Sequence, residues 1–148
     1  LEMWRVAWQI FLHHPLMGAG SGAFMKETAR MVETHDISPG ITRYDHPHND
    51  YFNAMVSWGV LGLVAYLLVL GLPLKLYIGA VRTGTGDRKA AGFVGIIMIS
   101  GLLIFGLTET MFTHSIVMSW YVTFTAMLTA IMLRASARVG WEKQRTAA

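Results

Sequence analysis

Cysteine is absent from this 148-residue chain, which removes disulfides, thiolate nucleophiles and cysteine-ligated zinc at once. Charge is scarce as well. Only 14% of residues are Asp, Glu, Lys or Arg, against about 25% in a soluble domain. With 53% hydrophobic residues and a mean hydropathy of +0.43, a soluble enzyme, a disordered tail and a basic nucleic-acid module all fit poorly. The class is membrane protein. An initiator methionine and a signal-peptide pattern are also missing ahead of Leu1, so a piece of a longer polytopic protein is expected.

What is present divides the chain in two. Residues 1–50 hold most of the acids (Glu2, Glu27, Glu33, Asp36, Asp45, Asp50) and five of the six histidines. From Tyr51 onward three apolar runs dominate, at about 52–74, 90–107 and 115–133. The first rises roughly 34 Å as a helix, enough for a hydrocarbon core of about 30 Å. The other two are near the minimum spanning length of about 17–20 residues. The expected fold is therefore all-α and polytopic: three transmembrane helices plus a helical loop segment on one face.

Orientation follows from lysine and arginine. Lys75, Arg82, Arg88 and Lys89 mark segment 75–89, and Arg134, Arg138, Lys143 and Arg145 mark the tail 134–148. The turn from Thr108 to His114 has no Lys or Arg. Loop 75–89 and the tail are thus expected in the cytoplasm, and residues 1–50 with the Glu109–His114 turn on the periplasmic side. The basic pI of about 9.5 is then a topology signal, and no nucleic-acid partner is expected.

The outer segment begins with an amphipathic pattern. Leu1, Trp4, Trp8, Phe11 and Leu12 share one helical stripe, and Glu2, Arg5, Gln9 and His13 another. Tryptophans suit the lipid headgroup layer. The pattern stops at His14-Pro15, because the residue before proline is pushed out of the α region. Glycines 18, 20 and 22 make a turn, a second helix is expected at about 23–34, and 37–48 reads as an ordered loop. His13, His14 and His35 read as solvated surface residues.

The chemistry concentrates in Arg43-Tyr44-Asp45-His46-Pro47-His48-Asn49-Asp50-Tyr51, which abuts the first span. Ionisable groups beside a membrane are costly to desolvate, so the cluster is a functional candidate. One reading is a metal site on His46 and His48 with Asp45 or Asp50. Another is a polar cap that finds only water and backbone, in which Asn49 caps the span. Glu109 reads either as an interfacial anchor or as a partner of the cluster, and Gly59 and Gly62 as positions of close helix packing.

His48-Asn49-Asp50-Tyr51-Phe52-Asn53 followed by Trp58-Gly59-Val60-Leu61-Gly62 resembles the signature of the O-antigen ligase and polymerase superfamily. Upstream, Trp4-Arg5-Val6-Ala7, His14-Pro15-Leu16-Met17-Gly18-Ala19-Gly20 and Phe24 are similar to the same family's Trp-bearing helix and Pro-Leu-x-Gly-x-Gly turn. Ser57 stands where that family often carries Glu. The resemblance implies a metal-independent membrane glycosyltransferase without cofactor. It would move a glycan from an undecaprenyl-diphosphate carrier to an acceptor hydroxyl, on lipid A core or a related glycan, at the periplasmic face of the bacterial inner membrane. A polymerase or protein O-oligosaccharyltransferase of the same superfamily, or a non-enzymatic assembly or transport subunit, are the alternatives. On that reading His48 is the catalytic residue. Arg43, then Arg5 and more distantly Arg30, would hold the diphosphate. Asn49 and Asp50 would orient the ring or sugar hydroxyls, and Tyr44, Tyr51 and Phe52 would stack on sugars or the polyprenyl chain.

Overall fold

The computed structural model describes residues 2–34 and 36–147, with side chains throughout these except at 139–143, 146 and 147. Leu1 of the apolar stripe and the expected surface His35 lie outside the described residues. Five α-helices follow in order: α1 (Glu2–His13), α2 (Ala23–Glu33), α3 (Asp50–Thr83), α4 (Gly86–Phe105) and α5 (Ser115–Ala147). Short 3-10 turns occupy Pro39–Arg43 and Met111–Thr113. No strand occurs among the described residues. Three helices are long and apolar enough to cross a membrane: α3, α4 and the Ser115–Arg138 part of α5. Helix α3 continues past Leu74 and through Pro73 to Thr83, and α5 continues beyond Leu133. Their polar ends are therefore helical rather than irregular.

The chain forms two compact units. The first comprises residues 1–69 and 103–114. Its core is Val6, Ala7 and Ile10 of α1, Ala23 and Phe24 of α2, Ile37 and Ile41 from the loop, and Val56 of α3. Helix α1 thus buries a face other than its tryptophan stripe. Trp8 and Leu12 stay 46% and 57% exposed, while Val6 and Ala7 are fully buried. The small residues at those two positions let α1 approach the core closely, and the larger Trp8 and Leu12 are left exposed.

Helix α3 is broken within the first unit. Gly59 has φ 65° and ψ −155°, a conformation that only glycine adopts readily. The loop after α1 fills the break. Ala19 N–H donates to Val56 C=O at 2.8 Å, Gly20 N–H to Ser57 C=O at 3.1 Å, and Val60 N–H to Pro15 C=O at 2.8 Å. Backbone groups freed by the break are thereby paired, as an apolar surrounding demands. A Cβ on Gly18 would lie 2.4 Å from Ser57 C, and one on Gly59 2.3 Å from Leu16 O. Gly59 is therefore not a helix-packing position. It and Gly18 are one interlock of backbone against backbone.

The second unit comprises residues 70–102 and 115–148. Here the small-residue logic of membrane helices does hold. Tyr77 of α3 is fully buried over α4, where a Cβ on Gly95 would lie 2.4 Å from its ring and one on Gly92 2.8 Å from its carbonyl oxygen. Large apolar side chains such as Leu76, Phe93, Ile97, Trp120 and Leu133 point outward and are exposed, which suits helices solvated by lipid.

Candidate functional site

The start of α3 organises the site. Asn49 is its N-cap: Oδ1 accepts the Phe52 N–H at 3.0 Å, and Nδ2 donates to the Leu107 carbonyl at 2.9 Å. One amide thus satisfies an orphan helix donor and ties in the turn after α4. Asp50 extends the tie. Its carboxylate accepts Met111 N–H at 3.1 Å and Phe112 N–H at 3.3 Å, and its own N–H donates to Gly106 C=O at 2.8 Å. Tyr51 O–H donates to Leu103 C=O at 2.9 Å. Asn49 and Asp50 are each 3% exposed. Asn49 and Asp50 hold turn 106–114 against the start of α3, and Tyr51 ties in the last turn of α4 ahead of it.

That tether brings Glu109 to His48, 61 positions away in the chain. His48 Nδ1 lies 3.0 Å from Glu109 Oε1 and 3.2 Å from Oε2. Since a carboxylate only accepts, Nδ1 is the donor, and in the neutral ring the lone pair is then on Nε2. Glu109 also accepts the Thr110 N–H at 3.0 Å. That backbone bond first, and the His48 ring after it, hold the Glu109 carboxyl below its ordinary value of 4.5. A carboxylate therefore faces the imidazole at neutral pH.

His46 has the opposite arrangement. Its Nδ1 accepts the His48 backbone N–H at 3.3 Å and lies 3.0 Å from the Thr110 hydroxyl, while Nε2 lies 3.3 Å from Asp45 Oδ1. Both ring nitrogens thus have partners. The two imidazoles sit 4.3 Å apart between centroids, and Tyr44 packs edge-on against His48 at 5.5 Å. His48 has φ 46°, left-handed backbone that costs a non-glycine residue about 1–2 kcal/mol. Such strain, held in place by neighbours, belongs with functional positions.

His46, His48 and Glu109 each offer a donor atom within 4.8 Å of the others, so this trio could hold a divalent ion. It differs from the sequence expectation in taking Glu109 rather than Asp45 or Asp50 as the oxygen ligand.

The arginines are placed differently. Arg43 ends the Pro39–Arg43 turn, exposed, immediately before Tyr44. Arg5 is exposed on α1. Neither makes an ion pair among the described residues. Arg30 lies 4.0 Å from Glu27 on α2. His13 is exposed and bonded to the Gln9 carbonyl, and His14 is exposed.

A residue pair 61 positions apart, a capped helix start and a glycine interlock now stand in one unit, and comparison gives them a context. Residues 1–67 match the O-antigen ligase family. The matched region contains the α1 helix, the Pro15–Gly22 turn, His48 and the α3 break, and it ends before Glu109. Members of the O-antigen ligase family are membrane glycosyltransferase-like enzymes of the bacterial inner membrane, in keeping with three membrane-length helices here. The chain is also similar to an uncharacterized protein of Haemophilus influenzae, 24% identical over 131 residues. That alignment covers 88% of this chain and 32% of the relative; the chain spans about a third of the relative's length.

Proposed function

We propose that this chain carries the outer-face catalytic part of an O-antigen ligase-like glycosyltransferase. Its substrates are an undecaprenyl-diphosphate-linked glycan and an acceptor hydroxyl on lipid A core or a related glycan, at the periplasmic face. The observation that carries the reading is the His48–Glu109 hydrogen bond. Glu109 fixes the imidazole with Nδ1 protonated and stabilises the imidazolium that forms when Nε2 takes a proton. His46 is a poorer base, because both its nitrogens already have partners.

The acceptor O–H proton passes to His48 Nε2 as the oxygen bonds to the anomeric carbon. The bond from that carbon to the diphosphate breaks, and the diphosphate leaves with the electron pair. Arg43 neutralises the leaving group, with Arg5 second, since guanidinium stays charged and grips phosphate oxygens in a fork. The exposed Tyr44 ring is available to stack on a sugar face. Asn49 and Asp50 hold the turn that carries Glu109, and Tyr51 anchors the end of α4 that leads into it. No metal takes part.

The test uses the full-length protein in membranes. His48→Asn retains a residue tolerated in left-handed backbone but removes the base. It should abolish glycan transfer with protein level unchanged, while His46→Ala retains most of it. Transfer by His48→Asn within a few-fold of wild type would refute the reading. So would activity that is lost to a chelator and restored by zinc, with His46 and His48 equally required.

A further inference from the structure

A second feature of the same unit is a cleft of about 550 Å³ beside the break in α3, within the about 300–1,000 Å³ of small-ligand sites. Its wall joins the proposed centre through His46, whose ring packs on His48. The wall has two kinds of surface. Trp58, 60% exposed, and Phe112 supply aromatic faces. Asn53, Ser57 and His114 supply polar side chains that make no side-chain hydrogen bond among the described residues. Polar groups without protein partners beside aromatic rings suit a ligand with apolar faces and a rim of hydroxyls.

Charge then selects the part of the substrate. The lining contains Asp45 and Asp50 but no lysine or arginine. A diphosphate would meet carboxylates with no cation to offset them, whereas a sugar hydroxyl donates to them. The break in α3 lies beside this space, at Gly59 next to Trp58. Gly62 lets the next turn close against Trp58, since a Cβ there would lie 2.3 Å from Trp58 Cβ.

We propose that this cleft is a hexopyranose subsite, which holds the acceptor sugar so that its hydroxyl reaches His48. The inference rests on the glycosyltransferase reading and adds where one substrate sits. The Trp58 ring takes the C–H face of the sugar, and Asn53 and Ser57 bind its hydroxyls.

The test uses full-length protein in nanodiscs with two readouts. In saturation-transfer NMR, core oligosaccharide from rough lipopolysaccharide and the methyl glycosides of glucose, galactose and N-acetylglucosamine are the probes. At least one should receive saturation at its ring C–H protons, and lose it with Asn53→Ala or Trp58→Leu. In transfer assays Asn53→Ala should raise the acceptor KM about tenfold, the size of one lost hydrogen bond to substrate, with kcat and the donor KM little changed. A rise in donor KM alone would overturn the acceptor assignment and place the carrier-linked sugar in the cleft. No saturation with any probe, or no change in either KM, would overturn the subsite itself. His48→Asn separates the two ideas, for it should bind the sugar probe as wild type does. If His48→Asn transfers normally while Asn53→Ala still raises the acceptor KM, the base assignment fails and the subsite stands.

Discussion

Replacing Gly59 by alanine attacks the interlock where the structure is least forgiving. The new Cβ would lie 2.3 Å from Leu16 O, 2.4 Å from Leu16 C and 2.7 Å from Gly18 N. All three are backbone atoms, so no side-chain rotation relieves them. The φ of 65° with ψ of −155° adds strain of about 1–3 kcal/mol for a residue with a Cβ. If the loop withdraws to make room, three backbone hydrogen bonds are lost, each contributing about 0.5–1.5 kcal/mol net. Together these reach roughly 3–7 kcal/mol, much of the 5–15 kcal/mol by which a domain is stable. Two controls bracket the effect. Gly20 has φ 99° and nothing within 4 Å of a built Cβ, so Gly20→Ala should cost only about 1–2 kcal/mol of backbone strain. Gly71 lies inside α3 with open space, so Gly71→Ala should be neutral or stabilise by up to about 1 kcal/mol. Thermal unfolding of the full-length variants in detergent, together with membrane yield, should rank them Gly71→Ala, Gly20→Ala, Gly59→Ala. A Gly59→Ala protein as stable and active as wild type would refute the interlock.

Much of this architecture was legible in the chain. Three runs of apolar residues became three membrane-length helices, because run length and hydropathy suffice where lipid is the solvent. The stop at His14-Pro15 and the second helix near residue 23 were legible because proline and glycine act locally. Three things were hidden. The second apolar face of α1 uses Val6, Ala7 and Ile10, and small residues beside tryptophans carry little weight in a periodicity reading. The break at Gly59 leaves no composition signature, since one φ angle decides it and Gly18, 41 positions upstream, is its counterpart. The pairing of His48 with Glu109 depends on a tertiary tether by Asn49, Asp50 and Tyr51, and a contact between residues 61 positions apart leaves no local pattern in the chain. The same tether has Asn49 and Asp50 bonded to backbone, a role the sequence pattern gave no sign of beyond the cap.

The remaining predictions concern charge and topology. Arg43→Ala should raise the barrier to transfer by about 3 kcal/mol, roughly a hundredfold in rate, and Arg43→Lys should restore part of it. Normal transfer by Arg43→Ala with loss in Arg5→Ala would move the diphosphate contact to α1. Because this chain has no cysteine, single cysteines at Ser38 and Thr85 can report sidedness. Ser38 should react with an impermeant thiol reagent in intact spheroplasts and Thr85 only after lysis, and equal labelling would overturn the orientation. The last prediction is a pH dependence. Glu109 is held below its ordinary value of 4.5 by the Thr110 N–H and by His48, so its carboxylate binds its proton less readily in the folded state than in the unfolded chain. A depressed carboxyl stabilises the fold above the unfolded value, and that contribution disappears as pH falls through the lower folded value. The stability difference between wild type and Glu109→Gln should accordingly begin to shrink below about 4.5 and lose the carboxylate's contribution in stronger acid. Urea or thermal unfolding of both proteins from pH 7 to pH 3 measures it. A difference that stays undiminished between about pH 4.5 and pH 3 would mean that Glu109 is not the acceptor for His48 and Thr110, and the catalytic pair would fall with it.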